Sequence, residues 1–255
     1  MNYLYAIIFG VLQGLTEFLP VSSSGHLYLF NRIIGANNDF VFFAVLLHLA
    51  TLLAVVIVFR KKILYLIKNP FSSYAVKLYV ATIPTILIVL LLMPLMDRFG
   101  GYTIIICFLI TAVLLFITDI LSRRKVVEKQ MTYKHAIIMG IAQGLAVFPG
   151  ISRSGATIST GLLLGQSKKE TAEFSFLMSI PIIIASMVYE LFSAYINGKT
   201  LIVTGEILPT IIAFICAFIV GIFSIKIMMK IVEKSKYFWF SIYLVFLCII
   251  SIFLI

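Results

Sequence analysis

Long apolar runs separated by short polar segments dominate the pattern of hydrophobic and polar positions along the chain. A helix needs roughly 20 apolar residues to cross a hydrocarbon core of about 30 Å. Six runs have this length and are predicted to be transmembrane helices: 40–59, 76–96, 102–121, 174–193, 207–229 and 237–255. The pattern therefore predicts an all-α integral membrane protein.

Two further apolar stretches, 3–34 and 133–165, are interrupted near their midpoints by Pro, Gly and Ser. Non-helical backbone at membrane depth must be sheltered by protein or must line a wet cavity, so neither stretch is a good continuous span. Each is predicted to form a re-entrant helical hairpin.

The sequence also contains an internal repeat. Residues 7–27 align without a gap to residues 137–157 at an offset of 130 positions, and ten of the 21 aligned positions are identical. The spans that follow each stretch correspond in the same order. We therefore predict a tandem duplication, with a first repeat over 1–125 and a second over 126–255.

An odd number of crossings in each half would insert the second half in the opposite orientation. The basic residues test this independently, because cytoplasmic segments carry an excess of Lys and Arg. With the N-terminus outside, 16 of the 20 Lys and Arg residues fall inside, Arg153 is unassigned, and three fall outside: Arg32, Arg98 and Lys199. Both arguments predict an inverted-topology repeat whose interrupted stretches enter from opposite faces and meet near the midplane.

Composition agrees with a lipid environment. Hydrophobic residues make up 62% of the 255 residues, only 12% are charged, and the mean hydropathy is +1.14. In a soluble globular domain, apolar residues make up only about half of the composition. The formal net charge of +10 arises from short loops. We interpret it as a topology signal and expect no nucleic-acid partner.

Glu17 and Arg153 are the ionisable residues placed deepest within the interrupted stretches. An ionisable group at membrane depth is costly unless it is paired or hydrated, so each is predicted to be the other's neighbour in a functional site. The alternative is a salt bridge that only locks the two halves together.

The residues around these two charges resemble an anion-binding cradle. Residues 20–26 read Pro-Val-Ser-Ser-Ser-Gly-His, and residues 149–157 read Pro-Gly-Ile-Ser-Arg-Ser-Gly-Ala-Thr. Pro and Gly interrupt the helix, the next residues offer backbone N–H groups at a new helix N-terminus, and Ser hydroxyls add donors. Arg153 adds a bidentate, permanently charged contact. The alternative is tight packing of small residues between helices.

The two copies differ at three positions that matter for chemistry. Glu17, Ser23 and His26 correspond to Val147, Arg153 and Ala156. The first half is therefore expected to supply acid and base, and the second half the anion clamp.

These residue types suggest particular roles. Glu17 could hold a divalent cation or position a nucleophile, and His26 could transfer protons. A capping or packing role is the alternative for His26. His48, within a predicted span, and His135, beside a basic loop, are interpreted as structural.

Together these motifs resemble those of the undecaprenyl-pyrophosphate phosphatase family, bacterial membrane enzymes associated with bacitracin resistance. The family's E/Q-x-x-x-E stretch running into Pro-Val-Ser-Ser-x-Gly-His corresponds to residues 13–26, and its P-G-x-S-R-S-x-x-T motif to residues 149–157. The EFSFLMSIP stretch at 173–181 fits as well, so the resemblance covers essentially the whole chain. Gln13 stands where many members have Glu, which puts in doubt any scheme that requires two carboxylates.

The resemblance implies a hydrolase that converts undecaprenyl pyrophosphate to undecaprenyl phosphate and inorganic phosphate with Mg²⁺ or Ca²⁺. This reaction recycles the lipid carrier for cell-wall peptidoglycan synthesis. The implied catalytic residues are Glu17, Ser23, His26 and Arg153, with Glu17 also as the metal ligand. The implied substrate-binding residues are Gln13, Ser22, Ser24, Gly25, Ser152, Ser154, Gly155 and Thr157. Sequence leaves the nucleophile open among water, Ser23 and His26.

The resemblance also implies a multi-pass protein of the bacterial plasma membrane with its site open to the outer face. The expected partners are a polyprenyl pyrophosphate substrate, membrane lipids and a second copy in a homodimer. Inverted repeats with broken helices are also typical of secondary transporters, so a transporter or flippase of the carrier lipid is the alternative function. A structural scaffold would leave Glu17 and Arg153 unexplained.

Overall fold

The computed structural model describes residues 2–35, 40–96, 101–122, 130–196 and 207–255. Within these ranges the chain forms eleven helices: α1 Tyr3–Thr16, α2 Ser23–Ile34, α3 Phe40–Val58, α4 Arg60–Lys68, α5 Ser73–Met96, α6 Gly101–Ser122, α7 Tyr133–Leu145, α8 Arg153–Leu163, α9 Lys168–Ile196, α10 Ile207–Lys234 and α11 Phe238–Leu254. The predicted all-α class is confirmed. Six basic residues of the topology argument lie outside the described residues: Arg98, Arg123, Arg124, Lys125, Lys129 and Lys199.

Four helices, α5, α6, α9 and α10, are long and apolar enough to cross a membrane. The predicted span 40–59 forms α3, which together with α4 passes as a fifth, broken span bent by 79°. The predicted span 237–255 forms α11, whose 17 residues rise about 25 Å, less than a core of about 30 Å. Within the part of the chain that the structure describes, length and composition therefore support four to five spans, whereas the sequence pattern predicted six.

The two interrupted stretches each form a pair of short helices. α1 and α2 occupy the predicted hairpin 3–34, and α7 and α8 fall within the predicted hairpin 133–165. These helices have 14, 12, 13 and 11 residues, so each rises about 21 Å or less and is too short to cross alone. α2 and α8 begin after a Ser N-cap at equivalent positions, Ser22 and Ser152.

The contacts between helices recur when each helix is replaced by its counterpart in the other half. α1 packs against α10, and its counterpart α7 packs against α5, the counterpart of α10. The α2–α11 contact likewise corresponds to the contact between their counterparts, α8 and α6. The α3–α10 contact corresponds to the contact between their counterparts, α9 and α5. All six of these contacts join one half to the other. The predicted division into 1–125 and 126–255 therefore concerns the repeat and does not separate two packed units.

Close approach at α1–α10 and α7–α5 depends on two G-x-x-x-G pairs of the repeat: Gly10 and Gly14, and Gly140 and Gly144. A Cβ at Gly14 would lie 2.7 Å from the carbonyl oxygen of Ala217, and one at Gly144 would lie 2.7 Å from Cβ of Ile88. Glycines at this spacing allow helix backbones to approach closely within a membrane. These four glycines therefore allow the short helices to pack closely against α10 and α5.

A buried aromatic cluster packs around the first break. Phe18, Phe108 and Phe176 are among the largest fully buried side chains of the described residues. The rings of Phe18 and Phe176 meet edge to face with centroids 5.8 Å apart. Gly25 lies against the Phe108 ring, where a Cβ would collide with it. This cluster packs the segment after α1 against α6 and α9.

We predict that Gly140→Val destabilises the protein by about 2 kcal/mol or more, because the added side chain must displace the backbone carbonyl of Ala81. Thermal unfolding of the purified protein in detergent measures the effect. Ile141→Val on the exposed side of the same helix is the control. An unchanged unfolding temperature for Gly140→Val would contradict the proposed close approach.

Candidate functional site

The first break ends α1 at Glu17 and begins α2 at Ser23. Ser22, between them, has a left-handed backbone with φ of 69°. Its Oγ accepts hydrogen bonds from the N–H of Gly25 at 3.4 Å and from the N–H of Gly150 at 3.1 Å. One Ser side chain therefore caps α2 and contacts the loop of the other half.

The second break is held by α6. Gly150 has φ of 99°, a conformation that favours glycine. The Thr111 hydroxyl donates to the carbonyl of Gly150 at 3.2 Å and accepts from the N–H of Ser152 at 3.2 Å. Ser152 Oγ accepts from the N–H of Gly155 at 3.1 Å and so caps α8. The cap repeats that of Ser22 on Gly25.

The two loops lie in contact. Besides the Ser22 to Gly150 hydrogen bond, Ser154 Oγ donates to the carbonyl of Leu19 at 3.2 Å. The prediction that the interrupted stretches meet is confirmed by these hydrogen bonds. Their meeting brings the N-termini of α2 and α8 close to each other.

Glu17 lies at the centre of a hydrogen-bonded cluster drawn from both halves. Its Oε1 accepts from Nη2 of Arg153 in an ion pair. Its Oε2 accepts from Ser23 Oγ at 2.5 Å and from Gln13 Nε2 at 3.1 Å. Glu17 is 6% exposed. The predicted neighbours are therefore paired, and two further predicted site residues join them.

Each loop also leaves backbone donors uncapped. The first N–H groups of a helix have no partner within the helix, and the two Ser caps serve Gly25 and Gly155. The N–H groups of Ser23, Ser24, Arg153 and Ser154 precede those positions in their helices. Two helix N-termini beside Arg153 favour an anion, because their partial positive charges add to that of the guanidinium.

The other predicted substrate-binding residues divide into two groups. Ser22, Ser152, Ser154 and Thr157 are buried, and Thr157 contacts Ser175 Oγ at 2.6 Å, which ties α8 to α9. Ser24 is exposed, with its Oγ 3.3 Å from that of Ser22. Most of the hydroxyl groups thus shape the loops, while Ser23 is the one that reaches Glu17.

His26 is held by contacts of its own. Nδ1 lies 2.7 Å from the carbonyl of Ser22 and therefore carries a proton. Nε2 lies 2.7 Å from the hydroxyl of Tyr243, which can donate to it. The rings of His26 and Tyr243 are stacked, and the ring of Phe108 meets His26 edge to face. The hydrogen bonds of His26 therefore lead to Ser22 and Tyr243, and Tyr243 is a residue that the sequence did not indicate.

His48, which the sequence analysis interpreted as structural, lies close to Glu17. Its Nε2 is 4.0 Å from Glu17 Oε2, and its Nδ1 donates to the carbonyl of Ala44 at 2.9 Å. Its position within a predicted span was a usable signal, since an ionisable residue at that depth is a functional candidate by default. The structural role predicted for His135 is confirmed, because it forms a capping box with Thr132 at the start of α7.

The donor set at Glu17 limits how a metal could bind. No group of three His, Cys, Asp or Glu side chains that could hold a metal occurs among the described residues. Gln13 Oε1 is a buried oxygen without a hydrogen-bond partner. Mg²⁺ commonly binds through one or two carboxylates together with waters and substrate phosphates. The carboxylate of Glu17 and the free amide oxygen of Gln13 fit such a site, and oxygens of the ligand would complete the coordination.

A small cavity borders the ion pair. It is lined by Glu17, Phe18, Arg153, Ser154, Ser175, Phe176 and Ser179. Arg153 also donates from Nη1 to the carbonyl of Ser179 at 3.4 Å. The guanidinium thus bridges Glu17 and α9, and it would have to turn from Glu17 toward an anion that entered here.

Comparison with known proteins agrees with this site. A sequence model described as Bacitracin resistance protein BacA matches residues 6–250. A protein named undecaprenyl-diphosphatase from Carboxydothermus hydrogenoformans is 41% identical over 246 residues, covering 95% of this chain and 94% of the relative. Proteins of the same name from Christiangramia forsetii and Methanosphaera stadtmanae are 39% and 36% identical, covering 95% and 100% of this chain and 94% and 98% of the relatives. Glu17, Ser23 and Arg153 lie together where the two broken helices meet, and the family match extends along nearly the whole chain. The chain therefore belongs to the bacitracin resistance protein BacA family.

Proposed function

We propose that this protein hydrolyses undecaprenyl pyrophosphate to undecaprenyl phosphate and inorganic phosphate. The observation that carries the proposal is the contact of Arg153 and Ser23 with the same buried carboxylate, Glu17, beside two helix N-termini. The name undecaprenyl-diphosphatase of the relatives supports the same substrate.

Binding begins with an exchange of partners at Arg153. The pyrophosphate takes over the guanidinium, which forms bidentate contacts to phosphate oxygens. The uncapped N–H groups at the starts of α2 and α8 add further donors. The exchange frees Oε1 of Glu17 from Arg153, while Oε2 keeps its hydrogen bond from Ser23 Oγ.

The geometry favours Ser23 as the nucleophile among the three candidates, because its Oγ lies 2.5 Å from Glu17 Oε2. Ser23 Oγ attacks the terminal phosphorus, and its proton passes to Glu17. The bond from that phosphorus to the bridging oxygen breaks, and undecaprenyl phosphate leaves. Water then attacks the phosphoserine, inorganic phosphate departs, and Oγ regains a proton. Arg153 stabilises the charge on the transferring group throughout.

His26 acts in this scheme through Nε2, the nitrogen that Tyr243 now engages. Released from Tyr243, Nε2 presents a lone pair and can accept the proton of the water that attacks the phosphoserine. Tyr243 is then a positioning residue, since it holds the ring in one orientation from α11.

A divalent cation, Mg²⁺ or Ca²⁺, is part of the proposal. Glu17 and the free amide oxygen of Gln13 would hold it together with oxygens of the substrate. When bound, it would supply charge neutralisation on the pyrophosphate.

The proposal extends to the setting of the site. We place the protein in a bacterial plasma membrane as an inverted-topology repeat, which the exchange of helix contacts supports. The excess of basic residues on one side supports an opening to the outer face. The product would re-enter peptidoglycan synthesis and so confer bacitracin resistance. A homodimer stays a prediction.

Glu17→Gln and Arg153→Gln should each reduce phosphate release from undecaprenyl pyrophosphate in detergent by about a thousandfold, because the first removes the base for Ser23 and the second the charge that stabilises the transferring group. The double variant should lose little more, because the two residues act as a unit. Colorimetric phosphate release from purified protein measures the loss.

Glu233→Gln, an exposed acid on α10, is the control and should retain full activity. Thermal unfolding of each variant separates loss of chemistry from loss of fold. Near-normal release by either folded site variant would exclude this assignment and favour a purely structural ion pair. Detergent provides no second compartment, so release there also distinguishes hydrolysis from transport of the carrier.

A double-mutant cycle tests whether Tyr243 acts through His26. Tyr243→Phe should lower kcat several-fold with little change in KM, and His26→Ala should lower it further. The combined variant should be no slower than His26→Ala alone, because the hydroxyl then has no ring to position. Additive losses in the cycle would show that Tyr243 has a role independent of His26.

A further inference from the structure

The chain turns sharply where α3 ends. α3 stops at Val58, and the next helix, α4 at Arg60–Lys68, is bent from it by 79°.

A cavity of about 580 Å³ lies at this turn. Three consecutive cations line it, Arg60, Lys61 and Lys62, together with Tyr65 and a single acid, Glu173. Arg60 uses Nη1 for the carbonyl of Ile57 at 3.2 Å, which leaves the other guanidinium donors free for a ligand. The cavity thus presents an excess of positive charge.

The start of α4 adds to that charge. Phe59 precedes the helix and provides no side-chain cap for its first N–H groups. Lys62 is anchored on one side, with its Nζ 4.0 Å from the centre of the Tyr74 ring. The anchored cation and the uncapped helix start face the same cavity and complement a phosphate group.

The neighbouring face of α4 is apolar. Ile63, Leu66 and Ile67 line a groove of about 460 Å³ with residues of α5 and α9. Glu173 of the cation cavity and Leu177 of the groove are one turn apart on α9. A charged cavity and an apolar groove therefore adjoin along two shared helices.

We propose that this composite surface binds an anionic membrane phospholipid, with its phosphate in the cation cavity and an acyl chain in the groove. Net positive charge in the cavity selects a lipid of net negative charge over a zwitterionic one, whose ammonium group the lysines repel. The surface is separate from the hydrolytic site, because Ser175, Phe176 and Ser179 line that site from another face of α9. Its occupancy does not depend on the proposed hydrolysis.

Native mass spectrometry of the purified protein with phosphatidylglycerol or phosphatidylcholine at equal concentration tests the proposal. The wild type should retain phosphatidylglycerol preferentially. Lys61→Gln/Lys62→Gln should reduce that retention by about tenfold or more. Lys68→Gln/Lys77→Gln removes the same charge from residues outside the cavity and should retain the lipid.

Equal loss from both double variants would overturn the proposal, as would equal retention of the two lipids by the wild type. Leu66→Trp, which fills the groove without changing charge, should also weaken retention, and unchanged binding there would refute the role of the groove. Release of the lipid by millimolar inorganic phosphate would indicate a site for the free anion instead. Because the readout is lipid retention, failure here leaves the phosphate-release experiments unaffected.

Discussion

The ion pair between Glu17 and Arg153 is the interaction on which the rest of the structure depends. Each charge lies at the break of an apolar stretch, where it would be costly alone. The partners come from different halves, so the pair requires the two loops to meet. The G-x-x-x-G contacts bring the short helices to their partners, and the hydrogen bonds of Ser22 and Ser154 join the loops.

The two stretches that align in sequence carry unequal chemistry. Ser22 and Ser152 cap their helices in the same way, and the glycine pairs pack in the same way. The functional groups are divided, with carboxylate and hydroxyl on one loop and guanidinium on the other. The cation cavity lies apart from this division, at the turn that ends α3.

Much of this arrangement follows from sequence because the signals are local. Pro, Gly and Ser at fixed positions predicted the breaks, and the cost of buried charge predicted that Glu17 and Arg153 meet. Tyr243 was not predicted because its contact with His26 joins residues 217 positions apart, and nothing local marks it. The length of α11 and the bend after α3 were not predicted either, because hydropathy reports burial in lipid and not where a helix turns.

In the proposed mechanism, Arg153 changes partner from Glu17 to the pyrophosphate. A structure of the protein with a methylene-bridged, non-hydrolysable analogue of the lipid pyrophosphate tests this most directly. We expect the guanidinium of Arg153 on the phosphonate oxygens, Glu17 still bonded to Ser23, and Ser23 Oγ facing the terminal phosphorus. An analogue bound elsewhere while Arg153 stays on Glu17 would contradict the account.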